Sequence, residues 1–171
     1  MKKESGSMYR DNERAMIGQP IYLIVALVIA TTIFTIFTFA MMSTSQQSQA
    51  HQVQCEIDKI ITEATNMFEY ADEGSIATIH VEFPYSMQFL VFGGLPTNDI
   101  SIPNNLTLQE NTSNNYYVVM NDGTLKTFHS NTRFSDKNET TIAVFFPGSY
   151  DLTLESSYWE GKTYVKIYER H

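Results

Sequence analysis

Between Ala15 and Gln54 the chain contains no Asp, Glu, Lys or Arg, and Ile21–Met42 is apolar apart from four threonines. Nothing else in the sequence limits the fold as strongly. As a helix those residues would extend about 33 Å, enough to cross a hydrocarbon core of about 30 Å. The threonines cost little, because each hydroxyl can bond back to a carbonyl one turn earlier. A cleaved secretory signal has a shorter apolar core, about 7–15 residues, followed by a small-residue cleavage site. A soluble core helix apolar on every side needs more protein around it than residues 75–171 provide. The sequence therefore predicts a transmembrane helix over 19–42, with Pro20 in a first-turn position where its missing N–H is harmless.

Flanking charge gives the direction. Residues 1–18 form a leader carrying Lys2, Lys3, Arg10 and Arg14, whereas the first basic residue after the apolar run is Lys59. The positive-inside rule places the N-terminus in the cytoplasm and the C-terminal part outside, as a single-pass membrane protein. From Ser43 onward there are 7 basic and 16 acidic residues, a net charge of −9, against −8 for the whole chain. That balance argues against phosphate-backbone binding, so no nucleic-acid partner is expected. A lone cysteine, Cys55, excludes an internal disulfide and any multi-cysteine metal site.

No glycine or proline occurs between Ile21 and Glu73, and Gly74 then ends the run. Beyond the membrane, Val53, Ile57, Ile60, Ile61, Ala64, Met67 and Phe68 recur at steps of four, three and one, one stripe of a helix. Glu56, Lys59, Glu63 and Glu69 make its solvated face. Residues 43–73 are thus expected to extend the membrane helix as an amphipathic helix, with Gly74 as the stop. The whole would run from about Pro20 to Ala71, roughly 78 Å by rise per residue. The polar tract Ser43–Gln49 is the place for a bend. The stripe Val53, Ile57, Ile60, Ala64, Met67 and Phe68 is expected to pack on the domain that follows.

From Ser75 the period changes to two. Ala77, Ile79, Val81 and Phe83 alternate with polar neighbours, and Met87–Phe92 is apolar on both faces, as a central strand should be. Tyr116–Met120 and Leu125–His129 flank Asn121-Asp122-Gly123, a hairpin signal. Further strands are expected at Ile142–Phe146, Tyr150–Glu155 and Thr163–Tyr168, with turns at Pro147-Gly148 and Glu160-Gly161. Pro96–Asn115, rich in Asn, Thr and Ser, reads as an exposed loop with one short edge strand. The fold class is α+β: a long N-terminal membrane helix, then a small antiparallel β-sandwich or curled sheet over 74–171.

Catalytic patterns are not found. His51, His80, His129 and His171 have no metal-ligand spacing, and His80 with Glu82 reads as an exposed strand face. Asp136–Thr140 begins like a calcium loop but has Thr141 and Pro147 where glycine and glutamate are needed. Gly93-Gly94 lacks a P-loop lysine, and no GxSxG is present. No enzyme activity, metal or cofactor is expected. Cys55, just off the stripe, reads as a small half-buried side chain, with an intermolecular disulfide as the alternative. Asn105, Asn111 and Asn138 each begin an N-glycosylation acceptor triplet.

A charged leader, a Gly18-Gln19 junction, the apolar run Pro20-Ile21-Tyr22-Leu23-Ile24-Val25 and a β-rich head together resemble an archaeal type IV pilin-like protein. The resemblance covers residues 1–70. It implies a class III signal peptide cut between Gly18 and Gln19 by a prepilin-type peptidase. It also implies self-association, or association with other pilin-like subunits, through Ile21, Leu23, Val25, Leu27, Val28, Phe34 and Phe37. Leu23 stands where bacterial pilins carry a glutamate, which points to a minor pilin or an archaellum-associated accessory protein. The expected function is a structural or accessory subunit of a cell-surface filament displaying a β-rich, glycosylated head. The alternative is a permanently anchored extracytoplasmic β-domain that binds an envelope component or a partner protein.

Overall fold

The computed structural model describes residues 7–97, 103 and 106–170, without the side chains of 7–19 and 46. It is an α+β structure: one long helix, α1 (Ser7–Tyr70), precedes two four-stranded sheets. The chain divides into two compact units, Met1–Ser45 and Gln46–His171.

In the first unit the helix begins at Ser7, so Pro20 is an interior residue and not the first helical position. Ala15 and Met16 are good helix formers, and an interior proline forfeits a single N–H bond at a cost of about 3 kcal/mol, which a long helix tolerates. The threonine hydroxyls are satisfied internally. Thr31, Thr32, Thr35 and Thr38 donate to the carbonyls of Leu27, Val28, Thr31 and Phe34 at 2.8–3.0 Å.

The second unit comprises the later helical residues and eight strands. These are β1 (Ile76–Phe83), β2 (Met87–Phe92), β3 (Asn115–Met120), β4 (Leu125–His129), β5 (Phe134–Ser135), β6 (Ala143–Phe145), β7 (Gly148–Trp159) and β8 (Lys162–Glu169). One sheet has the order β1-β7-β8-β5 and the other β4-β3-β2-β6. Among the described residues all pairings are antiparallel except β5–β8, which is parallel and only two residues long. β5 carries no alternating pattern of its own, so its position depends on β8. The Glu160-Gly161 turn has φ of +49° and +81°, the left-handed pair that a tight hairpin between β7 and β8 needs. Pro147-Gly148 makes no hairpin: β6 and β7 belong to different sheets, and the chain crosses between them there.

The core joins three sources. Val53, Ile57, Ile60, Ala64 and Met67 of α1 cluster with Val81, Phe83, Leu152, Leu154, Val165 and Ile167 of one sheet. Leu90, Phe92, Tyr116, Val118 and Phe145 of the other complete the cluster. Each fully buried aliphatic residue contributes about 1.5–3 kcal/mol. Phe92 sits at the centre, with ring centroids of Phe134 and Tyr116 at 5.3 and 5.7 Å.

A second cluster, Phe89, Val91, Tyr117, Val119 and Ile142, lies on the opposite face of the β4-β3-β2-β6 sheet. Leu108 packs on it, and Ser113 is fully buried. Pro96–Asn115 is therefore not simply an exposed loop; its described residues include part of the cover of this face. Burial there pushes the Tyr117 hydroxyl up to about 12. Leu108 N–H donates to the Thr140 carbonyl and Ile142 N–H to the Leu106 carbonyl, each at 2.8 Å, around the Thr107–Thr141 bridge. Gly74, at φ +81°, is not the residue that ends the helix: α1 stops at Tyr70, and Gly74 turns the chain into β1, its N–H donating to Ser156 at 2.7 Å.

Candidate functional site

Among the described residues, a long apolar surface without a partner lies on α1 between Pro20 and Met42. Ile21, Leu23, Val25, Leu27, Val28, Phe34 and Phe37 are all exposed, between 49% and 72%. Scattered exposed apolar residues are ordinary, but a continuous helical surface of Ile, Leu, Val and Phe costs free energy in water. The helix is long and apolar enough to cross a membrane. With its threonine hydroxyls bonded to its own backbone, it presents few unmet polar groups to lipid or to another helix.

The second helical stripe has the opposite fate. Val53, Ile57, Ile60, Ala64 and Met67 are at most 5% exposed, and Phe68 is half-buried against the same core. The face expected to be solvated is only partly so. The Glu56 side chain is 12% exposed; it pairs with Lys59 at 2.7 Å and accepts the N–H of Glu82 at 3.3 Å.

Gly18 and Gln19 lie within α1, but their side chains are outside the described residues, as is Asn105. Asn111 and Asn138 are both exposed. Asn111 sits in a short 3-10 helix, Glu110–Thr112, and the third residue of its triplet, Ser113, donates its hydroxyl to the Glu110 carbonyl at 2.9 Å. Cys55 is exposed and not half-buried, because it falls between the stripe positions Val53 and Ile57; its Sγ lies 3.3 Å from His51 Nδ1.

Three arrangements follow from tertiary contacts, which composition does not reveal. His80 and Asp151 are cross-strand partners whose side chains meet at 2.8 Å, with Ser149 Oγ 3.4 Å from the other ring nitrogen. The order Ser–His–Asp resembles a nucleophilic triad, but the His80 and Asp151 side chains are each 66% exposed. Water there replaces the dry, preorganised surroundings that acyl transfer needs. The second is an ion cluster in which Lys166 bridges Glu155 and Glu139. The third is a groove of about 650 Å³ lined by Cys55, Asp58, Lys59, Thr62 and Glu63 of α1 and by Ile79 and His80 of β1. Among the described residues no cluster of three or more metal-ligating side chains occurs.

No family model matches this chain, and neither a curated protein nor a solved structure matches it.

Proposed function

We propose that this chain is a pilin-like structural or accessory subunit of a cell-surface filament. In this reading it is inserted with its N-terminus in the cytoplasm and assembles through the apolar part of α1. The observation that carries the reading is the contrast within that helix. Residues 21–42 expose apolar side chains all round, whereas the stripe from Val53 to Met67 is consumed by the core of its own β domain. A helix built this way has one part committed to its own head and another whose surface must find lipid or other helices. Moving from lipid to a bundle of like helices exchanges one apolar contact for another, so assembly depends on packing and not on hydrophobic gain. The internally bonded threonines allow that exchange without stranding hydroxyls.

The leader supplies the switch. Lys2, Lys3, Arg10 and Arg14 hold the precursor's N-terminus in the cytoplasm, and a prepilin-type peptidase cutting between Gly18 and Gln19 would release the helix. The role is structural, with no reaction assigned to the head. The test is intact mass and N-terminal sequencing of membrane-extracted protein, with analysis of sheared surface filaments. A mature terminus at Gln19 in the filament fraction is expected. A chain that keeps Met1 and stays in the membrane overturns the reading and favours a permanently anchored β-domain. Mass added beyond the peptide would be mapped at Asn105, Asn111 and Asn138.

A further inference from the structure

We infer that the β1 edge and the groove beside it are a docking site for an extended peptide that alternates basic and apolar residues, taken up as an added strand. The inference goes beyond the filament reading and does not depend on it.

β1 is an edge strand, paired on one side with β7 across all eight residues, and among the described residues no strand lies on its other side. Glu82 directs its N–H away from β7, into the carboxylate of Glu56 on α1. By the period of two, Ile76, Thr78 and His80 turn their N–H and C=O groups the same way. The Glu56 carboxylate thus occupies one acceptor position of a missing neighbour, and the groove reaches the edge at Ile79 and His80.

The other edges are blunted. β5 has two residues, β6 has three and is preceded by residues 140–142 that bond to 106–108, and β4 carries Lys126 on a five-residue strand. Protein edges are commonly protected by shortness, cover, lysine or proline. Ile76–Phe83 has eight residues and no Lys, Arg, Pro or Gly. An open edge beside a helix is a geometry that accepts an added strand.

Charge identifies the occupant. Glu56, Asp58, Glu63 and Glu82 border the edge, and Lys59, already paired with Glu56, is the one cation among the groove-lining residues. Ile79 and Cys55 provide an apolar floor for the aliphatic stems of the basic residues, and the exposed Ile76 on the other face of the strand offers apolar surface to the residues between them. A second copy of the chain docked through β1 fits poorly, since it would bring the same carboxylates together and its β1 contributes no Lys or Arg. In an added antiparallel strand, residues whose side chains face Asp58 and Glu63 turn their N–H groups away from β1. Their neighbours turn theirs towards it.

The test uses the full-length protein in nanodiscs and a fluorescent acetyl-Lys-Val-Lys-Val-Lys-Val-Lys-amide peptide, read by anisotropy and by amide exchange. Binding is expected, with slowed exchange at Thr78 and His80. N-methylation of the valines should weaken binding at least tenfold, while N-methylation of the lysines should leave it within about twofold. A chain carrying Asp58→Lys and Glu63→Lys, at surface positions that leave the circular dichroism unchanged, should lose at least tenfold. Equal binding of both methylated peptides, no change in exchange at 76–80, or no binding at millimolar peptide each overturns the inference. Protection that rises with protein concentration alone also overturns it, by making a second copy the occupant.

Discussion

Lys166 Nζ lies 2.7 Å from Glu155 Oε1 and also reaches Glu139 Oε1 at 3.2 Å, so one cation on β8 ties β7 to the loop before β6. The hydroxyls of Ser157 and Tyr168 donate to Glu139 and Glu155 at 2.6 and 2.8 Å. The Ser157 bond is the main reason that Glu139 sits below the usual carboxylate range. Burial works against the charge on Glu155, yet hydrogen bonds from Lys166 and Tyr168 bring it below that range. Burial also opposes the charge on Lys166, and the two carboxylates outweigh it, raising its pKa.

The sign of the pH dependence follows. The depressed carboxylates add stability that is complete above their unfolded pKa of about 4.3 and is lost as pH falls through the folded values. The raised lysine adds stability that is complete below about 10.4 and is lost as pH rises through its folded value. Stability of the β domain is therefore expected to be flat in this contribution between about pH 5 and 10. Lys166→Met should cost about 2–4 kcal/mol at pH 7, since it leaves two half-buried carboxylates without their cation. Acidification from pH 7 to 5 should then recover part of the loss, as read by urea midpoints.

Ile57 is fully buried in the core, whereas Ile36 is exposed. Ile57→Ala should lower the unfolding free energy of the β domain by about 2–5 kcal/mol. Ile36→Ala should leave that unfolding within about 0.5 kcal/mol. Circular dichroism of the strands against denaturant, in detergent, checks both.

Gly93 and Gly123 have nearly the same φ, +88° and +82°, but different surroundings. A Cβ at Gly93 would lie 2.8 Å from the Phe134 carbonyl oxygen, while at Gly123 nothing stands within 4 Å. Gly123→Ala should cost about 1–2 kcal/mol from backbone strain alone. Gly93→Ala should cost more, because the strand before it or Phe134 must shift as well. Thermal unfolding of the pair separates strain from collision.

The proposed membrane crossing by α1 predicts sensitivity at its apolar centre. Ile33, exposed on the helix, becomes a mid-span charge in Ile33→Lys. Insertion should become less favourable by about 3 kcal/mol, read as the inserted fraction in a microsome assay with a glycosylation reporter. An unchanged inserted fraction would sink the span assignment.

The long helix and the α+β class were legible because their signals are local. A charge-free apolar run and a stripe at steps of three and four need no partner to be recognised. The hairpins at Asn121–Gly123 and Glu160-Gly161 were legible for the same reason, since the turn chemistry lies in adjacent residues. The candidate sites were less so. Asn111 and the exposed helix residues could be named, but Glu56 as a stand-in for a strand acceptor could not, because it depends on where β1 lies against α1.

By itself, then, the sequence determined the long helix beyond Pro20, most of the extended segments, which helical residues are apolar all round, and two of the hairpin turns. Backbone propensity and hydrophobic period operate over a few neighbours, and they are complete in the one-dimensional pattern. Only the tertiary structure decided the sheet order, the parallel β5–β8 pair and the second buried face beneath Leu108. It also decided the meetings of His80 with Asp151 and of Lys166 with Glu155 and Glu139. Those depend on register and on contacts between distant segments, whose energies become available only when the competing pairings have been resolved by packing.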